Sequence, residues 1–255
     1  MKQIPNLFTL LNLVFGCLAI IFILQNGEQI VLLGADGVSN INLPEKITWG
    51  SYCILAAAII DFLDGFVARL FKAGSEMGKQ LDSLADVVSF GVAPAMILYQ
   101  LLRITFARQE NGLDISVAWL LPALLVPVAG AWRLARFNID TEQSYSFKGL
   151  PIPAAGLFIA ALPLILWYPS FGIQAYLINQ WVLYAIIILL CWLMVSKLPL
   201  LSFKFKDYSV QNNLSKYLLI IIAVISLIFL KWLAVPVIII LYVILSLAFK
   251  NNKAA

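Results

Sequence analysis

The chain has 255 residues, 62% of them hydrophobic and only 12% charged, with no histidine and a formal net charge of +4. A soluble domain of this length carries about a quarter charged residues, so a water-soluble globular protein is excluded. Without histidine, proton transfer near neutral pH falls to carboxylates.

Repeated apolar runs of about twenty residues, enough to cross a bilayer core, predict an all-α, polytopic helical membrane protein. About eight transmembrane helices can be drawn, over 5–25, 48–72, 79–103, 114–136, 152–170, 179–197, 214–230 and 232–250. The first run begins almost at once and lacks a small-residue cleavage pattern, so it is expected to stay as a spanning helix. It opens Pro5-Asn6-Leu7-Phe8-Thr9, with Asn12 close behind. Read alone, Asn6 and Thr9 at a helix start suggest a cap. The loop around 26–47 carries nothing that suggests chemistry.

The second span ends, and the third begins, with residues that hydrocarbon does not tolerate cheaply: Asp61, Asp64, Asp82 and Asp86. Ionised carboxylates near membrane depth cost several kcal/mol unless a cation or donor meets them. Arg133 and Arg136 close the fourth span, and Pro151 and Pro153 open the fifth. The segment 200–216, with Lys204, Lys206 and Lys216, reads as a basic loop touching anionic headgroups. The last two spans are split only by Lys231 and broken by Pro236, a tight hairpin or a differently divided pair. Cys17, Cys53 and Cys191 lie in apolar runs without metal-ligand spacing and are expected to be small buried hydrophobes.

Alternating the loops across the bilayer puts thirteen of the seventeen Lys and Arg residues on the side of both termini, leaving Lys46, Arg103, Arg108 and Lys231 opposite. By the positive-inside bias, both termini and the aspartate-rich loop are cytoplasmic, as in a bacterial-type cytoplasmic membrane. The unusual residues of three helices then reach one level.

Asp61 and Asp64 are three apart and Asp82 and Asp86 four apart, so each pair shares a helix face. Two carboxylate pairs across a helical hairpin form an oxygen-lined cage for one or two hard divalent cations, Mg²⁺ or Mn²⁺. Gly65 leaves a gap against the backbone, and Arg69, one turn on, offers a fork for a phosphate oxygen. Metal, gap and arginine describe a diphosphate site. A salt-bridged hairpin without ligand would need cations that this stretch lacks. A divalent-cation transporter would place such ligands near the bilayer midplane on broken helices rather than at the rim. An aspartate-rich membrane prenyltransferase would separate its two acidic motifs far along the chain.

The eight fixed positions Asp61-x2-Asp64-Gly65-x2-Ala68-Arg69-x8-Gly78-x3-Asp82-x3-Asp86 match the signature of the CDP-alcohol phosphotransferases, and the chain resembles that family. The resemblance implies transfer of a substituted phosphate from a CDP-linked donor to an alcohol, with release of CMP. It implies two divalent metals, Mg²⁺ or Mn²⁺, with Asp61 and Asp82 bridging both, Asp64 on one, and Asp86 on the other as proton acceptor. Asn6, Thr9, Gly65, Arg69 and Ser75 then look like contacts for the donor, CDP-diacylglycerol. Residues 1–200 would be the catalytic transmembrane core, and 201–255 a basic cytoplasmic loop with a two-helix extension.

Ser89-Phe90-Gly91-Val92-Ala93-Pro94-Ala95, Arg133-Leu134-Ala135-Arg136-Phe137-Asn138 and Phe147-Lys148-Gly149-Leu150-Pro151-Ile152-Pro153 resemble the phosphatidylserine synthase branch. That implies L-serine as acceptor, its carboxylate meeting Arg133 or Arg136, with Asn138 nearby. Headgroup anchoring is the structural alternative for these arginines. Glycerol 3-phosphate or an inositol phosphate remains the alternative acceptor. The expected partners are CDP-diacylglycerol, serine, the lipid bilayer and a second copy of the chain in a homodimer, with no nucleic acid.

Overall fold

In hydrocarbon a backbone N–H must find its carbonyl within its own segment, which is why the apolar runs become helices. The structure, a computed structural model, describes residues 4–25, 32–33, 39–40, 44–70, 75–109, 114–139, 147–168, 171–200 and 210–248. The helices are α1 (Ile4–Leu24), α2 (Glu45–Leu70), α3 (Glu76–Asp86), α4 (Ala93–Ala107), α5 (Leu125–Ile139), α6 (Ile152–Trp167), the short α7 (Gln174–Leu177), α8 (Gln180–Val195), α9 (Val210–Leu230) and α10 (Ala234–Ala248). Two antiparallel contacts of two residues each complete it: β1 (Leu32–Leu33) with β2 (Ser39–Asn40), and β3 (Phe147–Lys148) with β4 (Pro199–Leu200).

Between α3 and α4 the helix widens into a π segment, Val87–Val92, so that Glu76–Ala107 runs on as one span. The Ala93 N–H donates to the Val88 carbonyl, five residues back. Pro94 next brings no N–H, so the regular ladder is interrupted there in any case. This segment is the hub of the bundle, touching α1, α2, α5 and α6. Small residues allow that approach. A Cβ on Gly156 of α6 would stand 2.9 Å from Phe90 Cα, and one on Gly16 of α1 would stand 2.9 Å from Ser89 Cα. Close backbone approach is how helices gain contact where lipid offers no hydrophobic drive. Phe90, Ile97, Leu98, Leu102, Ile152 and Ile159 fill the core around it. The stretch read as a mark of the serine branch therefore has a packing task of its own.

The all-α expectation stands; the count of eight spans does not follow from it. Among the described residues, four helical stretches have the length and hydropathy to cross a bilayer: Pro5–Leu24, Glu45–Ala68, Glu76–Ala107 and Lys216–Ala248. Ile152–Trp167 and Gln180–Val195 are shorter apolar helices. The expected fourth span opens instead as two 3-10 turns, Val117–Trp119 and Leu121–Leu124, before α5. Pro122 and Pro127 withhold donors there, which prevents one unbroken helix. At the other end α9 and α10 pack on each other across a 3-10 turn, where Lys231 adopts φ 51°. Cys17 is exposed on the outer face of α1, and Cys53 and Cys191 are only half-buried, so the cysteines are less enclosed than expected. Residues 201–209 of the predicted basic loop lie outside the described residues.

Candidate active site

The site forms where α2 ends and α3 begins. Ser75 starts α3 as its cap, with extended backbone and its Oγ accepting the Gly78 N–H at 3.0 Å. A capped first turn fixes the direction of α3 and thus where Asp82 and Asp86 point. One carboxylate oxygen from each of Asp61, Asp82 and Asp86 lies within 4.8 Å of the others. At that distance two like charges repel by about 3 kcal/mol for an effective dielectric of 20. Asp86 is 7% exposed, and its Oδ1 has no hydrogen-bond partner. Three converging carboxylates with an orphaned oxygen fit a hard divalent cation. Asp64 stands apart from the trio: it is buried, and its Oδ2 accepts the Thr9 hydroxyl. That hydroxyl also lies 3.2 Å from the Pro5 carbonyl, so α1 is tied to α2 at this height.

Beside the aspartates opens a cleft of about 380 Å³, within the range of small-ligand sites. Pro5, Asn6, Thr9, Asp61, Asp64, Gly65, Ala68, Ser75, Gly78, Lys79 and Asp82 line it. Four of the five expected donor contacts, Asn6, Thr9, Gly65 and Ser75, are therefore in its wall. A Cβ built on Gly65 meets nothing within 4 Å, so the gap inferred from sequence is open space. One built on Gly78 would come within 3.0 Å of Asn6 Oδ1, which shows how closely the start of α1 covers α3. Arg69 belongs to the last turn of α2, and its side chain lies outside the described part.

The residues expected to hold serine divide. Arg133 is 6% exposed, has Asp86 and Arg136 as charged neighbours, and keeps its Nε without a hydrogen-bond partner. Arg136 instead spans to the end of α8, where Nη1 donates to the Val195 carbonyl at 2.9 Å and Nη2 to that of Ser196 at 3.0 Å. Asn138 donates through Nδ2 to Ser83 Oγ at 2.8 Å, and its carbonyl accepts Lys79 Nζ at 3.2 Å. These two contacts bring the end of α5 to the level of α3, the convergence expected from sequence. Gly149 supports the same corner with φ 76°. A Cβ there would meet the Met194 and Ser196 carbonyls at 2.7 Å, so only glycine fits.

Lys79 in the cleft wall was read from sequence only as a topological charge. Its place, three before Asp82 and next to Gly78, was the available signal. Asn12, noted in sequence only for its place near the start of α1, is fully buried with neither side-chain polar atom bonded, and it stands beside Asp86. Asn6, Thr9 and Asn12 recur every three residues, which places them along one face of α1.

Comparison with known proteins agrees with this geometry. Residues 2–194 match the family model described as CDP-alcohol phosphatidyltransferase. A CDP-diacylglycerol–serine O-phosphatidyltransferase of Helicobacter pylori is 33% identical, over 98% of this chain and 96% of that protein. One of Bacillus subtilis is 31% identical over 71% of this chain and 89% of its own length. An archaetidylserine synthase of Methanothermobacter thermautotrophicus is 35% identical over 65% of this chain and 59% of its own. The matched residues carry both the eight-position signature and the cleft it lines, and the chain belongs to the CDP-alcohol phosphatidyltransferase family.

Proposed function

We propose that the protein transfers a phosphatidyl group from CDP-diacylglycerol to L-serine, giving phosphatidylserine and CMP. The observation that carries this reading is the convergence of carboxylate oxygens from Asp61, Asp82 and Asp86 beside a cleft lined by Asp61, Asp64, Gly65 and Asp82, with open space where a Gly65 side chain would stand. The donor's diphosphate lies along Gly65 with Asn6, Thr9 and Ser75 around it, and Arg69, one turn on in the sequence of α2, is the cation the signature assigns to it. Asp61, Asp64, Asp82 and Asp86 hold two divalent cations, Mg²⁺ or Mn²⁺, which when bound offset the diphosphate charge and the charge that develops on departing CMP. Thr9 engages only Oδ2 of Asp64, so the other carboxylate oxygen is the one available to join the three.

Asp86 takes the proton of the serine hydroxyl as that oxygen bonds to the lipid-linked phosphorus. The bond from phosphorus to the CMP oxygen breaks, and CMP leaves. The unmet Nε of Arg133 supports serine as acceptor, because a carboxylate binds a guanidinium edge through two parallel hydrogen bonds. With Arg136 engaged at α8, Arg133 is the better placed of the two, and Asn138 acts through Ser83 and Lys79 at the rim. The names of the Helicobacter and Bacillus relatives point to the same acceptor.

The thirteen-to-four distribution of cations supports cytoplasmic termini and a cytoplasmic site. Residues 1–200 form the catalytic core and 201–255 its extension. A homodimer belongs to the same reading, and cross-linking in native membranes tests it. The decisive assay incubates purified protein with CDP-diacylglycerol, Mg²⁺ or Mn²⁺, and each candidate alcohol. CMP release that depends on serine supports the proposal. Release that depends on glycerol 3-phosphate or an inositol phosphate refutes the acceptor and leaves the reaction class standing.

A further inference from the structure

We propose that Lys79 is a donor-binding residue, held by a hydrogen-bonded ring with Ser83 and Asn138 so that its ammonium meets a phosphate oxygen of the CDP-linked donor. This rests on the donor reading above and not on the choice of acceptor.

Among the described residues that line the cleft, Asp61, Asp64 and Asp82 bring negative charge and Lys79 is the one cation. A lysine three residues from an aspartate on a helix is within reach of it. Lys79 is bonded elsewhere: its Nζ donates to the Asn138 carbonyl at 3.2 Å, in the last turn of α5. Asp82 meanwhile converges with Asp61 and Asp86. The lysine therefore lines the cleft without neutralising its acids.

Its anchorage closes on itself. Ser83 Oγ, one turn further along α3, donates to the Lys79 carbonyl at 3.1 Å and accepts Asn138 Nδ2 at 2.8 Å. Three hydrogen bonds thus run from the lysine backbone through Ser83 and Asn138 to the lysine's own ammonium. A free lysine side chain loses much rotamer freedom when it binds a ligand. The ring removes part of that freedom beforehand, which favours binding. An ammonium has three donors, and one is engaged at Asn138. Lys79 is exposed, so the group is reached from the aqueous side.

A cation that merely closes the end of α5 is the structural alternative, because the final carbonyls of a helix lack partners within it. That role does not require the side chain to line the cleft beside Ser75 and Gly78. Charge selects the ligand. A diphosphate is an anion, whereas serine carries one charge of each sign. An ammonium is a compact point charge that suits a phosphate oxygen. Arg69, which the signature assigns to the same diphosphate, belongs to α2 and Lys79 to α3. Each helix that supplies aspartates to the site then also supplies one cation to the donor.

The test uses the full chain in lipid nanodiscs, as wild type, Lys79→Met, Lys79→Arg, Ser83→Ala and the Lys79→Met/Ser83→Ala double variant. Equilibrium binding of CDP-diacylglycerol with Mg²⁺ and without serine, its displacement by CDP, and the melting temperature are measured for each. Lys79→Met is expected to weaken CDP-diacylglycerol binding roughly tenfold, about the effect of one lost hydrogen bond to a charged group. CDP should weaken by at least the same factor, and Lys79→Arg should recover most of the loss. Ser83→Ala keeps the charge but opens the ring, so it should weaken both ligands about two- to threefold. On the Lys79→Met background it should add nothing. The melting temperature of Lys79→Met should fall by no more than about 3 °C, the effect of one exposed charge at a helix end. Unchanged donor binding in Lys79→Met overturns the proposal and leaves the lysine as the closing cation of α5. A loss confined to CDP-diacylglycerol, with CDP unaffected, overturns it as well, and so does an arginine variant as weak as methionine. Should Lys79→Met fail to fold, Ser83→Ala decides: wild-type binding of both ligands in that variant overturns the proposal. A wild type that binds neither CDP-diacylglycerol nor CDP refutes the donor reading itself, and this proposal falls with it.

Discussion

Gly65→Ala separates what the cleft does from what the helix needs. Gly65 lies within α2, and a methyl group there meets nothing within 4 Å. The substitution therefore creates no clash in the protein itself. Glycine inside a helix is worth about 0.5–1 kcal/mol less than alanine, so the variant should be the more stable one. For a chain of this size that is a rise of roughly 2 °C in melting temperature. If the donor's diphosphate lies against this backbone, the same methyl group overpacks the complex. Overpacking costs about 1–3 kcal/mol, equivalent to a roughly 5- to 150-fold loss of kcat/KM for CDP-diacylglycerol. The assay pairs a thermal melt with CMP release over a range of donor concentrations at saturating serine. Stability up and donor efficiency down is the expected result. Wild-type donor kinetics would show that the diphosphate does not pass Gly65, and the cleft would lose its assigned ligand. A lower melting temperature would mean that the backbone there carries a constraint not visible in its surroundings.

Three further outcomes follow from the same geometry. Asp86→Asn should cut turnover by at least about a hundredfold, the lower end of what a general base contributes, while equilibrium binding of CDP-diacylglycerol changes little; an active variant removes Asp86 as proton acceptor. Arg136→Ala gives up two hydrogen bonds to the end of α8, so it should lose about 1–3 kcal/mol of stability with KM for serine nearly unchanged. A large rise in that KM would return Arg136 to the acceptor site. Gly16→Ala would push α1 off the π segment, its Cβ falling 2.9 Å from Ser89 Cα, and should lower melting temperature and turnover together. Loss of one without the other would break the link drawn between that contact and the site.

The aspartates were legible because charge in hydrocarbon has few reasons to exist, and the period of a helix says which residues share a face. What period cannot give is the distance to the facing helix. Asp64 shares a face with Asp61, yet it is turned to Thr9, a contact between residues 55 apart in the chain. Arg136 carried an equally ambiguous signal. A helix-end arginine serves a ligand, a headgroup or a carbonyl with the same sequence, and only the arrival of α8 decides in favour of Val195 and Ser196. The break in the expected fourth span was present in Pro122 and Pro127, but a hydropathy window averages over the missing donors. The π segment was hidden for a related reason. Its residues read as specific to a family branch, while its geometry depends on α1, α5 and α6 closing around it.

The same segment explains how the bundle tolerates its acidic cluster. Repulsion of about 3 kcal/mol per pair among three carboxylates is a large fraction of what usually separates folded from unfolded states. It persists only where the surroundings over-determine the position of each group. Asp86 is the last residue of α3, and three residues later Ser89 Oγ donates to the Asn12 carbonyl at 3.0 Å. Gly16 and Gly156 let α1 and α6 grip the backbone of that turn. Thr9 restrains Asp64, Ser75 caps the start of α3, and Asn138 holds Ser83 from α5. The helix ends that carry the aspartates are thus fixed by contacts other than those among the carboxylates. On the proposed reading, a cation that met the trio would relieve repulsion without having to build the site, which would leave its binding energy for the diphosphate rather than for folding.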